Sequence, residues 1–412
     1  MNLVQKVVSS GLCTGCGLCE SLAPKGVISL RMSLLGYLRP QIKGQLSADA
    51  ERAISLTCPG VGVEHERGGE NYDVNWGPLL AVKAGHATDR EVRRMGSSGG
   101  VISALCIYLL ESKAVDFIAQ IAVSTSNPIA NEVQISRSRE DVIRAAGSRY
   151  APSAPLRAIR ELLSTGERFA FVGKPCDVAA LRAYLRINPG AKAQIPFLLS
   201  FMCAGIPSEN ATRDVVRAMG GDPTELFSFR YRGDGWPGMA KATQTDGATF
   251  EMDYNGSWGN ILGKQLQFRC KVCADGTGEF ADIVCADAWY GKDGYPDFTE
   301  RAGRSLVLAR TKAGVGLVEH ALADTAIVLE ALPAADIARM QPYQLNRKQL
   351  AAARSLATLL AMGRTTRYKR LRLLRAGARA GLLDLVRNAW GTYKRAKGES
   401  IDGAVFQTDT TA

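Results

Sequence analysis

Three cysteines spaced two residues apart near the N-terminus constrain this chain more than any other feature of its sequence. The segment at residues 13–19 reads Cys-Thr-Gly-Cys-Gly-Leu-Cys, with a glycine in each interval. This spacing lets a tight loop surround one iron–sulfur cube, because glycine permits a close approach of the backbone. A fourth ligand has to come from elsewhere, and Cys58 is the candidate because a Cys-Pro pair supplies the remote ligand in bacterial ferredoxins. The predicted ligands of this 4Fe-4S cluster are Cys13, Cys16, Cys19 and Cys58.

The chain holds ten cysteines but only three histidines, His65, His86 and His320. Disulfides are rare in the reducing cytosol, where clustered cysteines more often bind metal or carry out redox chemistry. The scattered histidines argue against a His-rich metal site. The N-terminal residues lack the apolar stretch of a signal peptide, and the longest mostly apolar run, at 101–110, is shorter than the roughly 20 residues that span a bilayer. We expect a cytoplasmic protein that is soluble or peripheral at the inner face of the membrane.

The order of apolar segments divides the chain into three predicted units. Residues 1–75 carry the first cysteine group and are expected to form a ferredoxin-like 4Fe-4S domain. In residues 76–345, strand-like apolar runs alternate with helix-like segments, which is typical of an α/β (α+β) domain. Residues 346–412 are predicted to form a basic helical C-terminal region.

A second cysteine group is predicted in the central unit. The pair Cys270 and Cys273 alone fits zinc or a redox dithiol as well as an iron–sulfur cluster. Two single cysteines, Cys176 and Cys203, each follow an apolar run that is predicted as a strand. Because the carboxyl ends of strands in an α/β sheet meet at one edge, these thiols can join the pair to hold a second four-iron cluster. The alternative for each single cysteine is a small buried core thiol.

The last two cysteines are interpreted differently. Cys106 lies among apolar residues in the middle of a predicted helix and is expected in the core. Cys285 is either a spare thiol near the second group or a residue that packs within a strand.

A segment rich in glycine and serine before an apolar helix is a candidate anion site. Residues 96–100 read Gly-Ser-Ser-Gly-Gly, and free N–H groups at a helix start suit a pyrophosphate. Such a helix start is also common without any ligand. Further along the chain, residues 148–150 (Ser-Arg-Tyr) add a cation and a stacking ring. No Gly-x-Gly-x-x-Gly fingerprint follows an early strand, so a standard Rossmann unit is not indicated.

Taken in order, these motifs resemble those of the family of the coenzyme F420 hydrogenase/dehydrogenase beta subunit. That family includes the flavin-bearing subunits of methanogen hydrogenases, 7-hydroxymethyl chlorophyll a reductase and a divinyl chlorophyllide reductase, and some members occur beside polysaccharide-synthesis proteins. The resemblance covers residues 10–345 and is carried by the segments 13–19, 97–101, 173–176, 201–207, 269–273, 281–283 and 287–289.

The resemblance implies a flavin-binding α/β domain that holds FAD, in addition to two 4Fe-4S clusters. The cluster nearest the flavin would be bound by Cys176, Cys203, Cys270 and Cys273. The expected flavin-binding residues are Ser97, Ser98, Gly99, Gly100, Ser148, Arg149, Tyr150 and Lys174. Asp177 stands where relatives often carry a polar amide, and Cys285 where glycine is usual, so substrate details do not transfer.

The resemblance favours an iron–sulfur flavoprotein oxidoreductase. In this hypothesis a one-electron donor such as ferredoxin reduces the N-terminal cluster, the second cluster receives the electrons, and FAD collects two and delivers a hydride to an organic substrate. The proton donor is unassigned. Asp287 and Tyr150 are candidates from position, and structural hydrogen bonding explains them at least as well.

The positive charge is concentrated near the C-terminus. The whole chain carries a net charge of +11, and residues 364–397 hold eleven Lys or Arg residues and one acid, Asp384. Apolar residues recur there at near-helical spacing, which suits an anionic membrane surface or an acidic donor such as ferredoxin. A solvated basic helix packed on the main domain is the alternative. No recognised nucleic-acid motif accompanies the charge, so we expect no nucleic acid partner.

Three functions stay open at the level of the sequence. The favoured one is a complete reductase with its own small-molecule or lipid-linked glycan substrate, in polysaccharide biosynthesis. The second is an electron-relay subunit that reduces coenzyme F420 within a larger hydrogenase or dehydrogenase complex. The third is a zinc-stabilised binding protein without redox chemistry.

Overall fold

The first elements of the chain are short and surround the first cysteine group. The computed structural model describes residues 1–66, 71–292, 295–398 and 406. Its N-terminal elements are α1 (Leu3–Ser9), α2 (Leu18–Leu22), β1 (Ile28–Met32), β2 (Leu38–Ile42), α3 (Ala48–Thr57) and β3 (Gly62–Glu64). Gly17, between α1 and α2, has a φ of +87°, and a Cβ atom there would lie 2.9 Å from the backbone nitrogen of Arg157. The cysteine loop therefore packs tightly against the central part of the chain at a position where only glycine fits.

The central part of the chain contains a mixed sheet of eight strands. Its elements, in chain order, are β4 (Tyr72–Asp73), β5 (Gly77–Pro78), β6 (Ala81–Ala87), α4 (Arg90–Met95), α5 (Val101–Glu111), β7 (Phe117–Val123), β8 (Asn131–Ser136), α6 (Arg139–Arg144), α7 (Ile159–Ser164), β9 (Phe169–Gly173), α8 (Pro175–Ile187), β10 (Phe197–Phe201), α9 (Glu209–Ala218), β11 (Leu226–Arg230), β12 (Ala240–Gln244), β13 (Thr249–Met252), α10 (Phe268–Lys271), β14 (Ile283–Asp287), β15 (Tyr290–Lys292), β16 (Tyr295–Asp297), β17 (Ser305–Ala309), α11 (Lys312–Ala323), β18 (Ile327–Ala331) and α12 (Ile337–Met340).

The strand order of the large sheet is β18-β6-β17-β14-β10-β9-β7-β8. Strands β7, β9, β10 and β14 run parallel, whereas the outer strands are antiparallel to their neighbours. Side chains alternate between the two faces. On β7, Phe117 and Ala119 join the core that packs on α8, and Ile118 joins the core that packs on α5 and α11. The predicted mixed α/β fold is confirmed.

The helix after β9 begins at Pro175, and Lys174 is its N-cap. Proline suits the first helical position, and the backbone N–H of Lys174 donates to the Asp177 carboxylate at 3.2 Å. Cys176 therefore lies in the first helical turn, directly beyond the carboxyl end of β9.

The C-terminal region packs against both other parts of the chain. Its elements are α13 (Pro342–Met362), β19 (Arg367–Lys369), α14 (Leu373–Gly377) and α15 (Leu382–Lys397). Helix α13 crosses the predicted boundary at 345/346, β19 pairs with β3 in parallel, and α15 packs along α13. Among the described residues, no helix is both long and apolar enough to cross a membrane. The unit boundaries stay predictions, and residues 399–405 and 407–412 of the last unit lie outside the described residues.

A buried ion pair anchors α13 to the segment before β14. Lys348 donates to Glu279, and both side chains are buried. Glu279 also accepts a hydrogen bond from the hydroxyl of Tyr72 at 2.6 Å and lies 3.0 Å from the ring of His65. Burial alone would raise the pKa of Glu279, but Lys348 and His65 lower it from 4.5 to about 2. Its ionisation therefore stabilises the fold above pH 4.5, and this contribution is lost as the pH falls towards 2.

We expect Lys348→Met to lower the free energy of unfolding by about 3–5 kcal/mol, because Glu279 would stay buried without its cation. The double variant Lys348→Met/Glu279→Leu should recover much of this loss, since apolar residues can replace a buried ion pair. Urea unfolding at neutral pH measures both. Lys241→Met removes an exposed ion pair with Glu251 and should cost less than about 1 kcal/mol. Equal losses for the two single variants would contradict this assignment.

Candidate functional site

The four cysteines of the first predicted group line one cavity. The loop at 13–19 and the start of the turn after α3 bring them together, and apolar residues of α1, β1 and α3 complete the wall. Burial raises the pKa of Cys16 to about 12, and Asp177 and Cys58 add to the rise. Burial raises the pKa of Cys58 to about 11, with a further contribution from Cys13. A bound metal would offset both effects, because a coordinating thiol releases its proton and binds the metal as a thiolate.

The second predicted group converges as well. Cys176 follows β9, Cys203 follows β10, and Cys270 and Cys273 lie on and just after α10. Burial raises the pKa of Cys203 to about 12, and the nearby thiol of Cys270 raises it further. Burial also raises the pKa of Cys176, where Asp177, Cys203 and Cys270 add to the effect. The parallel strands β9 and β10 therefore place two distant cysteines beside the local pair.

Three buried cations surround the second group. They are Lys174, Arg269 and Arg347. The positive charge of Arg347 lowers the pKa of Cys203, and Arg347 donates to the carbonyl of Cys203 at 2.9 Å. Within the described residues, Nε and Nη1 of Arg269 are buried and have no hydrogen-bond partner. Burying unsatisfied cationic donors is costly, so the arrangement fits an anionic metal–thiolate cluster in this space.

The two cysteine groups are neighbours, and the segment around α10 contacts both. Arg269 donates to the carbonyl of Pro59, which follows a cysteine of the first group, at 3.2 Å. The amide nitrogen of Gln267 lies 3.4 Å from the thiol of Cys270 and 3.5 Å from the carbonyl of Thr14. One short segment therefore fixes the separation of the two groups.

Among the described residues, no three His, Cys, Asp or Glu side chains stand close enough together to coordinate a single metal ion.

The remaining two cysteines belong to the core. Cys106 and Cys285 are both buried in the core between the sheet and α5. Burial raises the pKa of Cys106 to about 12, and it raises the pKa of Cys285 as well. The core prediction for Cys106 is confirmed, and Cys285 packs within its strand rather than serving as a spare thiol of the second group.

The segment rich in glycine and serine leads into α5, as predicted. Gly100 is the N-cap with a φ of +73°, and no side chain caps the first turn. Ser98 donates to the carbonyl of Arg304 at 2.9 Å, and the N–H of Gly99 donates to the hydroxyl of Ser305 at 2.9 Å. These two bonds hold the segment in place. The N–H groups in the first turn of α5, which no side chain caps, are the part of this segment that suits an anion.

A buried arginine that the sequence did not single out joins several predicted site residues. Arg232 donates to the carbonyl of Ser97 at 2.6 Å, to the hydroxyl of Tyr150 at 3.2 Å and to the two oxygens of Asp287 at 2.9 and 3.0 Å. The N–H of Ser148 donates to the hydroxyl of Ser97. Burial acts to lower the pKa of Arg232, but the Asp287 carboxylate outweighs it and raises the pKa.

Aromatic side chains enclose this ion pair. The ring of Trp289 lies 5.3 Å from the guanidinium carbon of Arg232, and the indole N–H of Trp236 donates to Asp287 at 2.7 Å. The segment at 230–238 reads Arg-Tyr-Arg-Gly-Asp-Gly-Trp-Pro-Gly, and no motif in it marks Arg232 as a site residue. Asp287 is therefore held by two donors, and its predicted role as a proton donor stays a prediction.

Two of the predicted flavin-binding residues lie outside the Arg232 cluster. The guanidinium of Arg149 donates to three backbone carbonyls at 2.9–3.2 Å and thereby holds neighbouring loops together. Lys174 pairs with Asp177 at 2.8 Å beside the second cysteine group. Burial acts to lower the pKa of Lys174, but Asp177 and Cys176 raise it to about 12. Contacts of Arg149 and Lys174 with a flavin stay predictions.

Several proteins of similar sequence are subunits of hydrogenases or dehydrogenases. Sequence profiles of the N-terminal and C-terminal parts of the coenzyme F420 hydrogenase/dehydrogenase beta subunit match residues 82–160 and 166–335. The coenzyme F420 hydrogenase subunit beta of Methanococcus voltae is 24% identical over 298 residues, which cover 68% of this chain and 97% of that protein. A subunit of the F(420)H(2) dehydrogenase of Methanosarcina mazei is 23% identical over 323 residues, which cover 76% of this chain and 82% of that protein.

The fold is similar to that of a chain in the F420-reducing nickel–iron hydrogenase complex from Methanosarcina barkeri, with a TM-score of 0.55. That comparison has 20% sequence identity and covers 72% of this chain and 98% of the other. The chain belongs to the family of the coenzyme F420 hydrogenase/dehydrogenase beta subunit, as its motifs predicted. Its relatives favour the electron-relay interpretation over a complete reductase in polysaccharide biosynthesis.

We expect Asp287→Asn to lower the free energy of unfolding by about 3 kcal/mol, because buried Arg232 would lose its counter-charge. Asp234→Asn is the matched control, since Asp234 pairs with the exposed side chain of Arg94 and should contribute less than about 1 kcal/mol. Urea unfolding of the two variants beside the parent chain measures the difference. Similar small losses in both would show that Arg232 does not depend on Asp287.

Proposed function

We propose that this chain is an electron-transfer subunit of a larger oxidoreductase, with two 4Fe-4S clusters at the two cysteine groups and FAD at the start of α5. The observation that carries this proposal is the convergence of eight cysteines in two adjacent groups, the second with buried cations around it. When bound, such clusters exchange single electrons and a flavin exchanges one or two. The side chains of the protein bind and orient these groups and set their electrostatic surroundings.

In this proposal, the residues around α10 neutralise the charge of the second cluster, donate hydrogen bonds to it and keep it close to the first. Lys174, Arg269 and Arg347 offset the negative charge of the second group of thiolates, which water would otherwise stabilise. The backbone N–H of Ile206 and the amide of Gln267 each lie 3.4 Å from the thiol of Cys270, and hydrogen bonds to cluster sulfurs tune reduction potentials. The same segment keeps the two groups close together, as electron transfer requires.

The residues around Arg232 suit a flavin with a pyrophosphate. The uncapped N–H groups of α5 supply donors for an anion, and Arg232 holds the adjoining carbonyl of Ser97 in place. The rings of Tyr150 and Trp258 are tilted by 46° with centroids 4.6 Å apart, and they offer an apolar surface to an isoalloxazine or adenine. Asp287 orients the guanidinium of Arg232, which also donates a hydrogen bond to the hydroxyl of Tyr150.

The proposed two-electron partner is a deazaflavin of the coenzyme F420 type, because the names of the relatives refer to it. The proposed one-electron partner is another subunit of the complex. A complete reductase that takes electrons from ferredoxin and acts on a lipid-linked glycan is the second candidate, and the basic C-terminal region is the feature that favours it.

Anaerobically purified protein should contain about eight iron, about eight acid-labile sulfide and about one FAD per chain, given two four-iron clusters and one flavin. Cys16→Ser and Cys203→Ser should each lower iron and sulfide by about half, because each removes a ligand of a different group. Metal analysis and low-temperature electron paramagnetic resonance measure these changes.

Cys106→Ala is the matched control, because Cys106 lies in the core, and it should retain the full iron content. Zinc at either group without sulfide or flavin would contradict the proposed function. Loss of iron in Cys16→Ser alone would show that the second group binds no cluster.

Reduced coenzyme F420 should reduce the clusters of the purified chain, and the electron paramagnetic resonance signal of the reduced clusters should appear as F420 is oxidised. The flavin is needed for this step, because it converts a two-electron donor into single electrons. Removal of FAD by dialysis should therefore abolish the signal. Reduction by ferredoxin but not by reduced F420 would favour the second candidate.

A further inference from the structure

The last helix exposes an apolar stripe. Thr392 and Ala396 of α15 are buried where the helix packs on α13. On another face, Leu383, Val386 and Trp390 are 83%, 60% and 59% exposed, and their spacing of three and four residues places them in one row. Large apolar side chains in such a row usually mark a contact surface.

Neighbouring turns extend the exposed apolar surface. Leu382 at the start of α15 and Leu374 on α14 are 75% and 83% exposed. On α13, against which α15 packs, Leu356 and Leu360 are 58% and 68% exposed. The exposed leucines therefore occur on all three helices of this region.

Basic side chains accompany this surface. Arg375, Arg379, Arg387 and Lys394 are exposed on α14, α15 and the turn between them. The ammonium group of Lys394 lies 5.0 Å from the centre of the Trp390 ring. Helices that lie in the interface of anionic membranes combine leucines that enter the apolar layer, a tryptophan and a set of cations. The exposed side chains of this region form the same combination.

We propose that α14 and α15 dock the protein on an anionic phospholipid surface, with Leu382, Leu383, Val386 and Trp390 inserted among the headgroups. A lipid surface can bury apolar side chains and neutralise arginines without a binding surface of complementary shape. The excess of cations over acids in residues 364–397 complements the charge of anionic headgroups. This inference does not depend on the proposed electron-transfer function.

The full chain should sediment with vesicles of phosphatidylcholine and phosphatidylglycerol at physiological ionic strength, but much less with vesicles of phosphatidylcholine alone. Binding should weaken as salt is raised, because salt screens the arginines. Brominated lipids should quench tryptophan fluorescence on binding, since Trp390 would enter the bilayer interface. Absence of binding to the anionic vesicles would overturn the proposal.

Leu383→Gln/Trp390→Gln should weaken vesicle binding about tenfold or more, because two large apolar side chains would lose their burial in lipid. Phe227→Gln is the matched control, since Phe227 is 72% exposed on β11, outside these helices, and should leave binding unchanged. Circular dichroism checks that both variants fold. Unchanged binding in the double variant would overturn the proposal, as would a dimer in light scattering that this variant dissociates, because the face would then belong to a second copy.

Discussion

The convergence of eight thiols in two adjacent groups is the constraint on which the rest of the structure depends. Burial raises the pKa of Cys16, Cys58, Cys176 and Cys203, and a neighbouring thiol raises each of these pKa values further. The chain places Lys174, Arg269 and Arg347 against the second group, and two donor atoms of Arg269 have no partner in the described part of the chain. Buried thiolates and buried cations are each unfavourable alone, and together they form a site for an anionic cluster.

This constraint explains why the C-terminal region is part of the centre. Arg347 comes from α13, and the hydroxyl of Tyr368, on β19, accepts a hydrogen bond from the N–H of Ala274 at 3.2 Å, just after Cys273. The buried pair of Lys348 and Glu279 ties α13 to the same segment. The basic C-terminal region therefore covers one side of the second group. Its last helices, α14 and α15, present exposed side chains on the opposite side of this region.

The sequence predicted the parts of the site that follow from the spacing of cysteines and from the ends of parallel strands. The spacing at 13–19 predicted the first group, and the strands before Cys176 and Cys203 predicted that their ends meet, because parallel strands place their carboxyl ends at one edge. Arg232 and Arg347 could not be found this way. Each reaches its site from a distant segment, and a single arginine carries no periodicity or spacing that marks it as buried.

The surroundings of the two groups differ in a way that bears on how electrons would distribute between them. The first cavity has mostly apolar walls, and the Asp177 carboxylate raises the pKa of Cys16 at its edge. The second group faces three cations, of which Arg269 also lowers the pKa of Cys58 in the first group. Asp177 offsets the charge of Lys174 beside Cys176, so Arg269 and Arg347 are the cations that would favour reduction at the second group, since reduction adds negative charge. The second group also lies at the sheet edge that carries Asp287, so this electrostatic difference would draw electrons towards the proposed flavin site.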